Sequence, residues 1–239
     1  MLRIRDAVKN FGGLVAVSKL SFDLAEHEVL GLIGPNGSGK TTMMNMISGV
    51  SKLSSGRIYL NGEDISGSSS HLIARKGVAR TYQLVRMLPT LSVLENVAAG
   101  GAFGFSRRWG SDLEEYSRTL LKRVGLAEME NTAVDALTYI DQKRLELARA
   151  LASDPKILLL DEWLAGLNLT ELEIGISLIK ELRKEGRTII IVEHVMDAIR
   201  SLCDRCVVMN SGMKIAEGTP SEVLADAEVI RAYLGDSGA

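Results

Sequence analysis

A glycine-rich octapeptide near the start of the chain constrains the fold more than any other feature. It reads Gly34-Pro35-Asn36-Gly37-Ser38-Gly39-Lys40-Thr41, which has the pattern Gly-x-x-x-x-Gly-Lys-Thr. Glycines permit a wide turn that aims successive backbone N–H groups into one concavity, where phosphate groups fit. Lys40 supplies a cation for the β- and γ-phosphates, and the Thr41 hydroxyl is a ligand for Mg²⁺. The pattern therefore predicts a loop that holds a nucleoside triphosphate and its magnesium ion.

The residues on either side of this loop strengthen that interpretation. The apolar run Val29–Ile33 has the composition of a buried strand, and the residues from Thr42 to Ser48 have that of a helix. A helix that starts at this point directs the positive end of its dipole at the phosphates. A chance glycine-rich turn would lack both flanks, so we expect the loop and Thr42 to form the nucleotide site.

Composition is that of an ordinary globular protein, and it does not suggest nucleic acid as a partner. The 239 residues are 46% hydrophobic and 24% charged, and the formal net charge is −2. The longest apolar runs, such as Ile157–Leu160, have the length of a strand and are too short to cross a membrane. The start of the chain, Met1–Asp6, alternates like a strand and lacks the apolar core of a signal peptide. We therefore expect a cytoplasmic protein whose membrane role depends on a partner.

Hydrophobic patterning predicts one domain of the α/β class with a largely parallel sheet. Short strands are expected at Leu2–Lys9, Leu14–Val17, Ser21–Leu24, Val29–Ile33, Ile157–Asp161, Thr188–Glu193 and Cys206–Met209, and Gly212–Gly218 is expected to complete a terminal hairpin. Residues 84–145 differ because they carry helical patterns, including Leu113–Val124, around a flexible glycine-rich stretch at Gly100–Gly110. We expect a helical insert at 84–145, rising from a nucleotide-binding core formed by residues 1–83 and 146–239.

Three sequences predict helix starts that carry a capping box. In this motif a Ser or Thr side chain accepts from the backbone N–H three residues later, and the acid at that later position accepts from the backbone N–H of the Ser or Thr. The three sequences begin at Ser92, Thr170 and Thr219, and Pro220 suits the first helical position that follows Thr219. A different pattern, Cys203-x-x-Cys206, has neither a second cysteine pair nor clustered histidines to complete a zinc site. We expect two reduced thiols packed where a helix meets a strand.

Two carboxylates follow the apolar strand Ile157–Leu160 directly. A buried strand that ends in Asp161 carries this residue to the edge of the sheet beside the phosphate loop, where it can hold Mg²⁺ through water. Glu162 is then in position to accept a proton from the water that attacks the γ-phosphate. A strand that simply ends in solvated acids is the alternative, which the upstream loop makes improbable.

The order of these motifs resembles the ATP-binding subunits of ABC transporters over nearly the whole chain. The resemblance implies a P-loop NTPase of the ABC ATPase type, with an N-terminal antiparallel β subdomain and a helical insert. It implies that Phe11 stacks on adenine, that Gln83 touches Mg²⁺ and the attacking water, and that His194 contacts the γ-phosphate. It also implies that Ala165–Asn168 crosses to a second ATPase subunit. Trp163 departs from the proline usual at its position, which puts the course of that crossing loop in question.

The chain departs from the family at the signature motif, which is usually Leu-Ser-Gly-Gly-Gln. In the family, the signature of one subunit contacts the ATP that is bound by the other subunit. Here the signature residues are Thr138, Tyr139, Ile140 and Asp141. A β-branched Ile140 obstructs the close backbone approach that glycine allows. Asp141 places an anion where phosphate should arrive, or it caps its own helix and occupies the N–H groups that phosphate needs. We expect this signature to serve a neighbouring ATP poorly.

The sequence thus predicts an ATPase subunit of an ABC importer, with ATP and Mg²⁺ as ligands. The segment Val229–Gly235 and Asn168 resemble the branched-chain amino acid group. The expected partners are polytopic permeases, indirectly a solute-binding protein, and a second ATPase subunit, with a heterodimer favoured over a homodimer. The expected location is the inner face of the cell membrane, reached through those permeases. Two alternatives stay open, which are a nucleotide-holding regulatory partner and a soluble ABC ATPase unconnected with transport.

Overall fold

A computed structural model describes residues 1–234, which form two sheets with helices on both sides of the larger one. The strands are β1 (Leu2–Phe11), β2 (Leu14–Leu24), β3 (Val29–Ile33), β4 (Ser55–Leu60), β5 (Glu63–Asp64), β6 (Val78–Arg80), β7 (Ile157–Asp161), β8 (Thr188–Val192), β9 (Arg205–Asn210) and β10 (Met213–Gly218). The helices are α1 (Lys40–Ile47), α2 (Ser70–Arg75), α3 (Val93–Phe103), α4 (Gly110–Arg123), α5 (Tyr139–Ala152), α6 (Leu169–Lys184), α7 (Met196–Leu202), α8 (Pro220–Ala225) and α9 (Ala227–Leu234), with two short 3-10 helices at Ala127–Met129 and Val134–Ala136.

The larger sheet has the strand order β10-β9-β3-β8-β7-β6, in which β10 alone is antiparallel to its neighbour. Strands β3, β7 and β8 lie side by side, so their carboxyl ends meet at one edge of the sheet. This arrangement brings the loop after β3 next to the residues that follow β7 and β8. The larger sheet therefore positions the phosphate loop, Asp161, Glu162 and His194, whereas Phe11 ends β1 of the smaller sheet.

A separate antiparallel sheet with the order β2-β1-β4-β5 covers the start of the chain. Its apolar side chains pack with α1 and one face of the larger sheet into one core. A second core lies on the other face, where α3 to α7 bury their apolar sides. The α/β class, the parallel sheet and the antiparallel N-terminal subdomain expected from the sequence are confirmed.

Strand boundaries differ from expectation in several places. The runs at 14–17 and 21–24 belong to one continuous strand, β2, which passes through Lys19 with a φ of 46°. Strands β4, β5 and β6 were not expected, because Ser55–Leu60 begins with three exposed residues and the other two are only two and three residues long. The hairpin of β9 and β10 is confirmed.

Residues 84–145 carry most of their structure as helix, and α4 matches the helical pattern expected at Leu113–Val124. The stretch Gly100–Gly110 was expected to be a flexible linker, but its first four residues belong to α3. Gly100 is required there, since a Cβ atom at this position would lie 2.2 Å from the carbonyl oxygen of Arg149. The glycine thus permits α3 to pack closely on α5.

Two of the three expected capping boxes are present, and the third lies two residues away from its expected position. Ser92 and Thr219 cap α3 and α8 as expected, with Pro220 in the first turn of α8. Helix α6 is capped by Asn168 with Glu171, rather than by Thr170 with Glu173. Asn168 and Glu171 fit the same reciprocal pattern, and starting there extends the helix by two residues.

Cys203 and Cys206 are free, buried thiols at the junction between α7 and β9, as expected. They fill the space above Gly31, where a Cβ atom would meet both sulfur atoms within 3.0 Å. The described residues contain no cluster of metal-ligating side chains. None of the helices in residues 1–234 is long and apolar enough to span a membrane.

Candidate nucleotide site

The glycine-rich loop joins β3 to α1, and its backbone conformation depends on glycine at two positions. Gly34 has a φ of 146°, and a Cβ atom there would lie 2.0 Å from the carbonyl oxygen of Met209. Gly39 has a φ of 103°, and a Cβ atom there would lie 2.5 Å from the carbonyl oxygen of Ala16. Neither position accepts an L side chain, since both the conformation and the space exclude one.

A cleft of about 1010 Å³ opens above this loop. Among the expected site residues it is lined by Phe11, Asn36, Gly37, Gly39, Lys40, Thr41, Thr42, Gln83, Glu162 and His194. Phe11 is 51% exposed at the rim, and the Lys9 amine lies 4.9 Å from the centre of its ring. Exposed Leu14 and Val15 lie beside it in the cleft wall, so this end offers an apolar surface to a planar base. Gly34, Pro35 and Ser38 belong to the loop beneath.

The Lys40 side chain is buried and folds back over its own loop. Its amine donates to the carbonyl oxygens of Gly34 at 2.8 Å and Pro35 at 2.9 Å. Burial lowers the pKa of Lys40, while the charges of Glu162 and Asp161 act in the opposite direction. These carbonyls hold the ammonium in the middle of the loop, from which it can reach a phosphate oxygen.

Glu162 lies between the two other expected catalytic residues. Its Oε2 accepts from the Gln83 amide at 2.7 Å, and its Oε1 lies 3.0 Å from Nε2 of His194. The carboxylate is thereby oriented from both sides while it still borders the cleft. Glu162 also has a φ of 50°, a left-handed conformation that non-glycine residues seldom adopt and that is associated with functional sites. The structure brings together all three residues that the sequence assigned to hydrolysis.

Asp161 lies deeper, at the end of β7, and is 1% exposed. Its Oδ2 accepts from Nη2 of Arg80 at 2.7 Å, whereas its buried Oδ1 has no hydrogen-bond partner. An unpaired buried carboxylate oxygen, with the Thr41 hydroxyl and the Gln83 amide in the lining of the cleft, supplies the oxygen ligands that Mg²⁺ prefers. The expected ligands therefore fit a hydrated magnesium ion.

The sequence analysis missed a buried group of charged residues behind Glu162. The amine of Lys143, 1% exposed, donates to the carbonyl oxygens of Glu162, Trp163 and Ala165 at 3.2, 2.9 and 2.7 Å. Burial lowers the pKa of Lys143, and the nearby carboxylates of Glu193, Glu146 and Glu162 oppose that effect. The amine thus fixes the turn that carries the carboxylate of Glu162.

Glu193, beside His194, completes this group. Its Oε1 accepts from the backbone N–H of Leu164 at 2.7 Å, which fixes the same turn from the other side. Burial raises the pKa of Glu193 to about 7. The signal available in the sequence was an acid at the end of an otherwise apolar strand, for which the sequence analysis gave no role.

The signature residues lie at the start of α5 and outside the lining of the cleft. Thr138 is the N-cap, so the suggestion that Asp141 caps its own helix is wrong. The Asp141 carboxylate instead accepts from the Thr138 hydroxyl at 2.6 Å and pairs with Arg144 at 3.2 Å. Its charge is therefore partly balanced within its own helix. Tyr139 is 48% exposed, under the Lys143 amine at 5.0 Å.

Ile140 occupies the second helical position of α5. Its side chain lines a surface cleft together with Trp163, Arg144 and Gly175, on the flank of the helix. The two most unusual departures from the family pattern, Ile140 and Trp163, thus border the same space. Trp163 is buried, and its indole N–H donates to the carbonyl oxygen of Lys143 at 3.0 Å. This bond ties the turn after Glu162 to the signature helix.

Comparison with known proteins identifies the family of the chain. Residues 17–165 match the family model described as ABC transporter, and residues 213–239 match the one described as branched-chain amino acid ATP-binding cassette transporter. The second match includes the segment 229–235 noted in the sequence, whose last residue, Gly235, lies outside the described residues.

Curated relatives match over the full length of the chain. The chain is 40% identical to the high-affinity branched-chain amino acid transport ATP-binding protein LivG of Salmonella typhimurium, covering 99% of this chain and 98% of that protein. It is 38% identical to the BraF protein of Pseudomonas aeruginosa, which carries the same description, with the same coverage.

Solved structures share the fold. A nucleotide-free ATP-binding cassette from an ABC transporter superposes with a TM-score of 0.89 at 30% identity, and the ADP conformation of another such cassette with 0.88 at 31%, each covering 99% of both chains. A bacterial ABC transporter cassette solved as a dimer superposes with 0.84 at 25% identity, covering 92% of this chain and 99% of that one. The chain therefore belongs to the ATP-binding cassettes of the ABC transporter family.

Proposed function

We propose that this chain hydrolyses ATP as the cytoplasmic subunit of an ABC importer, and that the importer carries amino acids of the branched-chain type. The observation that carries the hydrolytic part is the carboxylate of Glu162, oriented by Gln83 and His194 at the wall of the cleft. The importer and its cargo are inferred from the LivG and BraF relatives.

Different residues of the cleft have different roles in the transfer of the γ-phosphoryl group to water. The loop amides and Lys40 bind the phosphates, and Phe11 supports the base. Glu162 accepts a proton from the attacking water through a carboxylate oxygen, and His194 holds both Glu162 and the γ-phosphate. Thr41, Gln83 and Asp161 would hold magnesium, which would neutralise charge on the phosphate oxygens.

Permease subunits reach this chain at a groove of about 570 Å³ between the core and α3. Arg80, Tyr82 and Arg86 line one side of it, and Leu88 and Phe103 add exposed apolar surface. The groove begins directly beside Gln83, so a permease segment seated in it contacts the residues that lead into the catalytic site. Charged substitutions at Leu88 should uncouple transport from hydrolysis and leave basal ATPase activity unchanged. Permease crosslinks confined to the β9–β10 hairpin would contradict this placement.

The chain works as part of a dimer in which each signature serves the partner's nucleotide. We propose a heterodimer, because a homodimer would place Ile140 and Asp141 at both sites. Because Asp141 pairs with Arg144 in its own helix, it repels a partner's phosphate less strongly. The steric obstruction by Ile140 is therefore the main reason to favour a heterodimer. If the partner signature is intact, the site built on Lys40 and Glu162 hydrolyses ATP and the opposite site mainly holds it. The residual alternative is a subunit that holds nucleotide with weak hydrolysis.

Glu162→Gln separates hydrolysis from binding. The amide keeps the shape of the side chain but no longer accepts the proton, so we expect binding of ATP to be retained and turnover in the assembled complex to fall by at least about 100-fold. Binding is measured with a fluorescent ATP analogue and turnover by phosphate release. Glu173→Gln, at an exposed position of α6, serves as a matched control with unchanged turnover. Hydrolysis by the Glu162 variant at close to the parental rate would refute the assignment.

A further inference from the structure

The carboxylate of Asp161 has a resident cation beside it that the proposed reaction does not use. The side chain of Asp161 is 1% exposed and that of Arg80 is 4% exposed, and the two form an ion pair at 2.7 Å. The pair joins residues 81 positions apart in the chain, on the neighbouring strands β6 and β7. A buried carboxylate is costly without an opposite charge, so Arg80 is what makes a negative Asp161 acceptable inside the fold.

The guanidinium is held in place on its other side. Nη1 of Arg80 donates to Oδ1 of Asn45 at 2.7 Å and to Oγ of Ser48 at 3.0 Å, both on or next to α1. With Nη1 fixed on α1 and Nη2 on Oδ2 of Asp161, the fork geometry leaves Oδ1 as the carboxylate oxygen without a partner. Arg80 therefore decides which oxygen of Asp161 is free for the hydrated magnesium ion.

Two cations compete for one buried anion when magnesium binds. In the chain alone, Arg80 balances the charge of Asp161, whereas in the loaded site the divalent ion supplies a larger positive charge to the same carboxylate. Arg80 stays locked nearby and repels that ion, since burial of both side chains limits screening by water. The guanidinium of Arg80 therefore stabilises the metal-free fold and lowers the affinity of the site for the metal.

We propose that Arg80 is a positioning residue and built-in counterion for Asp161, which keeps Oδ1 free and limits the affinity of the site for its divalent cation. This inference rests on the proposed function, because it takes Asp161 as a metal ligand. Its functional consequence is that the metal leaves with the products instead of remaining in the site after hydrolysis.

The test measures divalent-cation affinity directly. Mn²⁺ binding to the full chain, saturated with the non-hydrolysable analogue adenylyl imidodiphosphate, is followed by electron paramagnetic resonance of the free ion. Arg80→Met should bind Mn²⁺ at least about fivefold more tightly than the parent, although its metal-free melting temperature falls. Arg80→Gln, which keeps a hydrogen-bond donor without the charge, should also bind more tightly and carries the test if the Met variant does not fold. Arg80→Lys should stay close to the parent.

The outcomes separate this proposal from the one it rests on. A merely structural role for Arg80 would lower the melting temperature and leave Mn²⁺ affinity unchanged or weaker in both neutral variants, and that result would overturn the proposal. Asp161→Asn should weaken Mn²⁺ binding by at least about tenfold, and unchanged binding there would refute the metal role of Asp161 itself. Arg57→Met removes an arginine from an exposed ion pair with Asp64 and is the control, with parental Mn²⁺ affinity.

Discussion

Lys143 offers the sharpest test of how the turn that carries Glu162 is held. The ammonium group has three N–H donors, and the structure matches each of them to a carbonyl oxygen of the segment 162–165. Lys143→Met keeps the length and most of the volume of the side chain but removes the donors and the charge. The three carbonyl groups then lose their partner inside the protein, and buried Glu193 loses a neighbouring positive charge.

The expected cost follows from these contacts. A hydrogen bond to a charged group contributes about 1.5 to 3 kcal/mol net, so three of them give roughly 5 to 9 kcal/mol before the burial of the ammonium is counted. Burying an ion costs several kcal/mol, which the Met variant recovers. We therefore expect the free energy of unfolding to fall by about 3 kcal/mol. Turnover should fall as well, because Glu162 is no longer held at a fixed position.

Urea denaturation of the nucleotide-free chain, followed by circular dichroism, measures the first effect. Lys180→Met makes the same substitution at an exposed position of α6 and should change the free energy of unfolding by less than about 0.5 kcal/mol. A loss below about 1 kcal/mol for Lys143→Met would refute the reasoning, because it would show that the three carbonyl bonds contribute nothing beyond the cost of burying the ion.

Three further predictions concern the same region. Because burial raises the pKa of Glu193 to about 7 from 4.5, its contribution to stability is complete below pH 4.5 and is lost as the pH rises through 7. Glu193→Gln should therefore gain about 2 to 3 kcal/mol on the parent between about pH 5 and pH 8 in urea titrations, and a pH-independent difference would count against a buried acid. Thr138→Ala removes the cap of α5 and should cost about 1 kcal/mol of unfolding free energy in the same assay, while no loss would show that the cap is dispensable. Ile140→Gly combined with Asp141→Gln should speed hydrolysis at the partner's site in a heterodimer, so an unchanged rate would argue that the native signature is competent.

Asp161 and Glu162 could be proposed from the sequence itself, whereas Gln83 and His194 were assigned through the family resemblance, and the strand β6 before Gln83 was not recognised. Asp161 and Glu162 end an apolar run, and the run before His194 is equally clear. The arrangement of parallel strands then brings them together without further information. In the structure, Glu162 contacts both Gln83 and His194.

The supporting charges could not be found in the same way. Arg80 and Asp161 pair across 81 positions, and the turn at Glu162 depends on Lys143 from a different helix. Neither lysine nor arginine is recognisable as buried from its neighbours in sequence, since long basic side chains usually remain at the surface. Similarly, Asn168 and Thr170 both begin acceptable capping boxes, and local sequence alone does not choose between them.

The ring of Tyr82 gives the groove proposed for the permease an unusually short connection to the nucleotide site. The guanidinium carbons of Arg80 and Arg86 lie 5.0 and 4.3 Å from the centre of this ring, and all three residues line the groove. The far end of Arg80 is bonded to Asp161. The Arg80 side chain thus lies between the surface proposed to meet a partner and the carboxylate proposed to hold the metal. If Asp161 holds the metal as proposed, a partner that shifts Tyr82 would displace the side chain paired with that ligand without moving a helix.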